Sequence, residues 1–345
     1  MAYDPHRLLS AFLRKGTVPP SILFTGIEGA GKRTAALNFA MSCNCENAGE
    51  TRDRGQEDCP LPLSPCRTCR SCKKILSGNH PDVSMIEPSG PLIRIAQIRE
   101  ICHTLGMKPY EARMRAVIIA DAHTMNPEAG NALLKVLEEP PDRTMLILTA
   151  VQTSDLLPTI VSRCQHIRFH PASQDQLRML LTGEKPGFSE KPGFRCLSEK
   201  EAEIIAMLAN GSYSKAISMS RSNWISRRQW LLTELESLFL SKQRGAPHSA
   251  ARVLAFAEKL SKNKEILPEL LEAMNTWVRD LMICKYDAEK LINRDIGDKI
   301  QNISRKMTAA DLLSKAEAIQ SARKKLRANA NTRLTMEALA LQLAW

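Results

Sequence analysis

Residues 115–164 read RAVIIADAHTMNPEAGNALLKVLEEPPDRTMLILTAVQTSDLLPTIVSRC. Two apolar strand-like runs are joined by a helix-like segment, and the stretch ends in an arginine just after a helical turn. Val117 to Ala120 is a short unbroken apolar run ending at Asp121. Such a run is expected of a buried parallel strand that delivers a carboxylate to the C-terminal edge of a sheet. Phosphate and nucleotide sites are built at that edge in α/β folds.

Upstream lies the matching half. Ser21 to Thr25 (SILFT) is a second buried-strand run, followed by Gly26-Ile27-Glu28-Gly29-Ala30-Gly31-Lys32-Arg33-Thr34 and an apolar helical stretch from Ala35 to Met41. This is the G-x-x-x-x-G-K pattern in a strand, loop and helix setting. Gly26, Gly29 and Gly31 let backbone N–H groups approach phosphates, and Lys32 pairs with their charge. Two positions depart from a hydrolysing site. The residue after Lys32 should carry a hydroxyl for Mg²⁺, but it is Arg33; Thr34 comes one residue late, about 100° further round the helix. A carboxylate that orients water often follows the strand Asp, but Asp121 is followed by Ala122, which removes a general-base contribution of ~10²–10⁴-fold. His123 is the neighbouring group that could stand in as a base.

Ten cysteines in a chain with no secretory segment argue for metal rather than for a disulfide scaffold. Cys66-x-x-Cys69-x-x-Cys72 brings three thiolates within reach of one tetrahedral Zn²⁺. Spacing leaves the fourth ligand open among Cys43, Cys45 and Cys59. A four-thiolate site has no open position for substrate, so the zinc is expected to be structural. Cys102, Cys164, Cys196 and Cys284 are expected to be buried free thiols.

The segments SILFTGIEGAGKRT, NHPDV, NALLKVLEEPP and TIVSRC, in that order, resemble the bacterial DNA polymerase III clamp-loader subunits of the AAA+ superfamily. The resemblance spans nearly the whole chain. It implies an α/β P-loop core with a parallel sheet over residues 1–170, carrying the zinc module at about 45–72, then a small helical lid over 171–222 and an all-α collar over 223–345. It further implies a hetero-pentamer with gamma/tau and delta subunits, which opens the ring-shaped sliding clamp and places it on primed DNA. Within the family, Ala122 and Arg33 point to the largely non-hydrolysing delta-prime branch, as does a length of 345 residues where tau-type chains carry further domains.

Several site residues follow from the resemblance alone. Arg163 of Ser162-Arg163-Cys164 matches the arginine that reaches a neighbouring motor's phosphates in trans. Counting back from that motif puts the family's sensor threonine at Ala150, with Thr149 one place off, a third sign of a relaxed site in which bound ATP is doubtful. Lys215, in the motif opened by Gly211-Ser212, matches a second phosphate sensor. Cys45, fourteen residues after Gly31, matches the family's first cysteine, which makes residues 46–65 an insertion and Cys59 a spare thiol.

Residues 197–219 read as two lid helices broken at Asn210-Gly211-Ser212, and a tandem Glu-Lys-Pro-Gly-Phe repeat at 184–194 reads as an irregular loop. From Asn223 onward the chain is helical, with Leu and Ile at helical spacing, as a collar requires. Net charge is +11, and residues 223–345 hold 21 Lys plus Arg against 14 Asp plus Glu, so a nearby polyanion is favoured. Aromatic residues make up only 5%, so contact with primer-template DNA would run through phosphates rather than stacked bases. No run approaches the ~20 apolar residues that span a bilayer, and the N-terminus lacks a signal-peptide core, so a cytoplasmic protein is expected. Two other readings use the same residues: a gamma/tau-like ATPase in which Thr34 and His123 take over the missing roles, and a zinc-bearing nucleic-acid adaptor with a vestigial P-loop.

Overall fold

The computed structural model describes residues 4–47, 65–183, 196–241, 250–262 and 265–344. The expected loop repeat at 184–194 and Cys59 lie outside them. The chain divides into two compact units, Met1–Ala172 with Gly211–Ser214, and Ser173–Asn210 with Lys215–Trp345.

The first unit is a five-stranded parallel sheet: β1 (Ser21–Thr25), β2 (Val83–Ile86), β3 (Arg115–Ile119), β4 (Thr144–Ala150) and β5 (Gln165–Arg168), in the spatial order β2-β3-β4-β1-β5. The three central strands are buried at every position, which explains their unbroken apolar sequences. Alternate residues feed two cores. Ile22, Phe24, Ile118 and Ile147 pack with α1 (Pro5–Lys15), α2 (Lys32–Asn44) and α3 (Arg70–Leu76). Leu23, Ile119 and Leu148 pack with α4 (Ile95–Leu105), α5 (Pro127–Glu138) and α6 (Pro158–Val161) on the other face. The result is a three-layer αβα unit.

β3 starts at Arg115, two residues before the apolar run begins, because its guanidinium has a buried partner. Asp82, fully buried just ahead of β2, lies 2.7 Å from Arg115 and accepts from the N–H groups of Tyr110, Glu111 and Ala112 at 2.8, 2.7 and 2.9 Å. Burial alone would raise the Asp82 carboxyl, but Arg115 and the three backbone donors outweigh it and hold it well below the usual carboxylate range. Asp82→Ala strands a buried guanidinium and is expected to cost about 3–5 kcal/mol in denaturant melts. The folded pKa is depressed, so this stabilisation is complete above about pH 4 and is lost as pH falls through the lower folded value. The gap between wild type and variant should therefore close only in acid; a gap that stays constant down to about pH 2 would refute the assignment.

The second unit is helical. It contains α7 (Gln174–Thr182), α8 (Glu199–Leu208), most of α9 (Tyr213–Arg221), α10 (Trp224–Ser241), α11 (Ala250–Lys262), α12 (Leu267–Ile283), α13 (Gly297–Ser304), α14 (Ala309–Arg327) and α15 (Thr332–Ala344). Trp277, Met274 and Leu339 are among its buried residues. Asp280 is also fully buried and is satisfied by the N–H groups of Ile292 and Asn293 and by the Asn293 amide. No described helix is long and apolar enough to cross a membrane.

Candidate nucleotide site and cysteine cluster

β1 ends at Thr25 and the chain turns through Gly26–Gly31 into α2. Gly26 (φ 146°) lies where a Cβ would strike the Phe169 carbonyl oxygen, and Gly29 (φ 75°) presents its own carbonyl oxygen to the Tyr213 N–H at 2.9 Å. A side chain at either position would force the loop away from this path. Lys32 opens α2 and is only 7% exposed; its Nζ donates to the carbonyls of Gly26 and Ile27 at 2.7 and 2.9 Å. Burial lowers the Lys32 pKa, opposed by the charges of Asp121 and Glu28.

β4 lies between β1 and β3, so the loop and Asp121 face each other across its end. Asp121 has a left-handed backbone (φ 51°), and its N–H donates to the Thr149 hydroxyl at 3.0 Å. Lys32, Arg33, Thr34, Asp121, His123, Thr149 and the glycines 29 and 31 line one cleft of about 540 Å³. Here the structure corrects the sequence reading of the sensor position. Thr149 lines the cleft, whereas Ala150 is fully buried and does not. Strand pairing sets the register at this point, with Leu148 opposite Ile119, and the count back from the SRC motif does not.

The donor set does not fit a hydrated Mg²⁺. Arg33 occupies the hydroxyl position, and its guanidinium pairs with the carboxylate of Glu87, which follows β2. Ala122 is fully buried and offers no group to water. His123 reaches the cleft, but its Nδ1 is buried without a hydrogen-bond partner.

Arg163 follows α6. It donates to the Thr159 carbonyl at 3.0 Å and to the Ser162 hydroxyl at 3.4 Å, and it pairs with Glu138 at the end of α5 at 2.7 Å, with its side chain 35% exposed. Gly130 permits the close approach of α5 and α6, since a Cβ there would lie 2.9 Å from Leu157. In the second unit, Lys215 pairs with Glu272 of α12 at 2.6 Å. Sequence reasoning missed Glu87, Glu138 and Glu272, because each is an ordinary surface carboxylate until folding sets it beside an arginine or lysine.

The sulfurs of Cys45, Cys66, Cys69 and Cys72 all lie within 4.8 Å of one another, and this cluster can hold a metal ion. A tetrahedral ion with metal–sulfur bonds of about 2.3 Å needs sulfurs roughly 3.8 Å apart. Cys45 caps α2, and Cys69 caps α3. The Cys69 N–H donates to Cys66 Sγ at 3.3 Å and the Cys72 N–H to Cys69 Sγ at 3.4 Å, around a left-handed Arg67. The Cys69 N–H leads in bringing the Cys66 thiol down to about 6, whereas burial pushes Cys72 up. Cys43 is a separate half-buried thiol, pushed up to about 12 by burial. Cys196 is exposed, contrary to the expectation of burial, because it lies outside any helix just ahead of α8; Cys102, Cys164 and Cys284 are half-buried.

Comparisons with known proteins agree along the chain. Residues 4–173 match the family described as DNA polymerase III, delta subunit, and residues 222–344 match its C-terminal family. The Bacillus subtilis DNA polymerase III subunit delta′ is 29% identical over 338 residues, covering 98% of this chain and 94% of that one. The B. subtilis subunit tau is 32% identical over 197 residues, but these cover 57% of this chain and only 32% of tau. A gamma subunit-related protein of Thermotoga maritima aligns over 98% of both chains with a TM-score of 0.44 and 21% identity. Likeness to delta′ runs end to end, and likeness to tau covers part of each chain. The chain belongs to the DNA polymerase III clamp-loader family of delta′, gamma and tau subunits, on its delta′ branch.

Proposed function

We propose that this chain is a stator of the clamp loader: it helps load the sliding clamp onto primed DNA and contributes Arg163 to the ATP of an adjacent motor subunit. One observation carries the reading. The P-loop cleft keeps its lysine and glycines but has Arg33 at the metal-ligand position and a buried Ala122 where water would be activated, while Arg163 stays at the surface. Gly26, Gly29, Gly31, Lys32, Arg33, Thr34 and Asp121 form the nucleotide cleft in this reading, and Lys215 is a second phosphate sensor exchanging with Glu272.

The partners are gamma/tau and delta in a hetero-pentamer built through the collar at 223–345, with the lid at 171–222 and the core at 1–170. The clamp and the phosphates of primer-template DNA are contacted by the assembly. Zinc is the ion of the four-cysteine cluster, since four thiolates in tetrahedral reach suit it and leave no open coordination position. Its role is to fasten the end of α2 to α3. The cell compartment is the cytoplasm.

The isolated, metal-loaded chain should show no steady-state turnover of Mg-ATP. Hydrolysis that disappears in Lys32→Ala would overturn the stator reading and make this a motor subunit.

A further inference from the structure

We propose that the P-loop cleft binds a nucleoside diphosphate without a metal ion, the Arg33 guanidinium supplying the positive charge that a cation supplies in a hydrolysing site. The inference deepens the stator reading and rests on it in taking the cleft as non-hydrolysing.

The cleft has the means to hold phosphates. A volume of about 540 Å³ is lined by the backbone of Gly29 and Gly31, by Lys32 and by the first turn of α2, whose N–H groups face an anion favourably. Lys32 is a buried ammonium satisfied by two loop carbonyls, a costly arrangement that an anionic ligand would relieve. Arg33 lines the same cleft. Its partner, Glu87, comes from the loop after β2, and both side chains are about half exposed or more, at 60% and 48%. Exposed pairs of this kind are weak and exchange readily.

Charge then selects the ligand. Replacing a divalent cation by one guanidinium removes one positive charge, and a diphosphate has one ionised phosphoryl group fewer than a triphosphate. The planar fork of arginine also matches two phosphate oxygens at once, which a hydroxyl cannot do. Asp121, which a metal would otherwise neutralise, has Lys32 as its nearby opposite charge. With Ala122 buried in the place of the carboxylate that would orient water, a bound nucleotide would remain as a fixed part of the subunit.

The test is a calorimetric titration of the full metal-loaded chain with ADP, in magnesium-free buffer and again with excess Mg²⁺. No strong chelator is used, because it would also strip the cysteine cluster. The expected result is one-to-one binding that changes by less than about twofold on adding Mg²⁺, and is weakened about tenfold or more by Arg33→Ala, the scale of a charge-assisted hydrogen bond. Glu87→Gln, which frees the guanidinium, should tighten binding about two- to fivefold. Arg33 and Glu87 are exposed, so circular dichroism should show both variants folded. Absence of ADP binding, an absolute need for Mg²⁺, or an unchanged affinity in Arg33→Ala would overturn the inference. Turnover of ATP by the same preparation would strike the stator reading instead, and the two failures are read separately.

Discussion

Arg163→Ala in the assembled loader is expected to slow hydrolysis at the adjoining motor site by about 10³-fold, the scale on which a guanidinium supplied in trans stabilises a transferring phosphoryl group. The geometry explains why this residue is suited to the task. α6 is a four-residue turn held close to α5 by Gly130, so Arg163 emerges at a fixed place beside the end of α5. Its guanidinium is tethered on one side, to the Thr159 carbonyl and to Glu138, and remains a third exposed. An arginine has five N–H donors, so these contacts orient it while leaving donors for phosphate.

Only the motor site facing Arg163 should stop. The loader's steady-state rate would fall by that site's share alone, and single-turnover hydrolysis is the measurement that isolates the effect. Arg163→Lys should recover little, because an ammonium is a point charge without the planar fork. Assembly, followed by gel filtration, should persist in both variants, since an exposed ion pair with Glu138 contributes at most about 1 kcal/mol to folding. Undiminished single-turnover hydrolysis in an intact Arg163→Ala complex would remove the trans role.

Where sequence and structure agree, local chemistry alone specifies the outcome. SILFT is read as a strand at its observed limits because Pro19-Pro20 precede it and Gly26 closes it, leaving five residues that are buried on both faces. The three cysteines at 66, 69 and 72 announce a knuckle through spacing, but spacing cannot choose among Cys43, Cys45 and Cys59. That choice depends on where α2 ends, and it ends with Cys45 as its cap beside the knuckle. Apart from Cys196, which is exposed because it lies outside any helix, the departures are long-range. Arg115 joins β3 because Asp82, thirty-three positions earlier, neutralises it. Thr149 reaches the cleft because β3 fixes the register of β4. The partners of Arg33, Arg163 and Lys215 are carboxylates brought in by other elements, which no local pattern marks.

Removing the metal, or making Cys72→Ser, is expected to loosen the segment around α3 while the sheet survives. α3 has seven residues, too few to be stable as an isolated helix, so its order must come from its attachments. Two of these are apolar: Cys72 and Ile75 are buried in the core cluster beside α2. Others are polar: Glu46 accepts from the Ser71 N–H at 3.3 Å, the Ser71 hydroxyl lies 3.5 Å from the His80 ring, and Lys74 pairs with Glu111 at 2.7 Å. The proposed ion is a further attachment, and structural zinc in small peptides contributes about 10–16 kcal/mol. Because core contacts also hold this module, only part of that should appear, and amides of α3 should exchange about 10³-fold faster in the metal-free protein. Binding must also release protons, since burial favours the protonated thiol at Cys72, so affinity should weaken as pH falls. Hydrogen exchange read by mass spectrometry, beside a metal stoichiometry of one per chain, decides the matter. If no metal copurifies and α3 is equally protected with and without added zinc, the cluster is a group of packed thiols and the structural-metal reading fails.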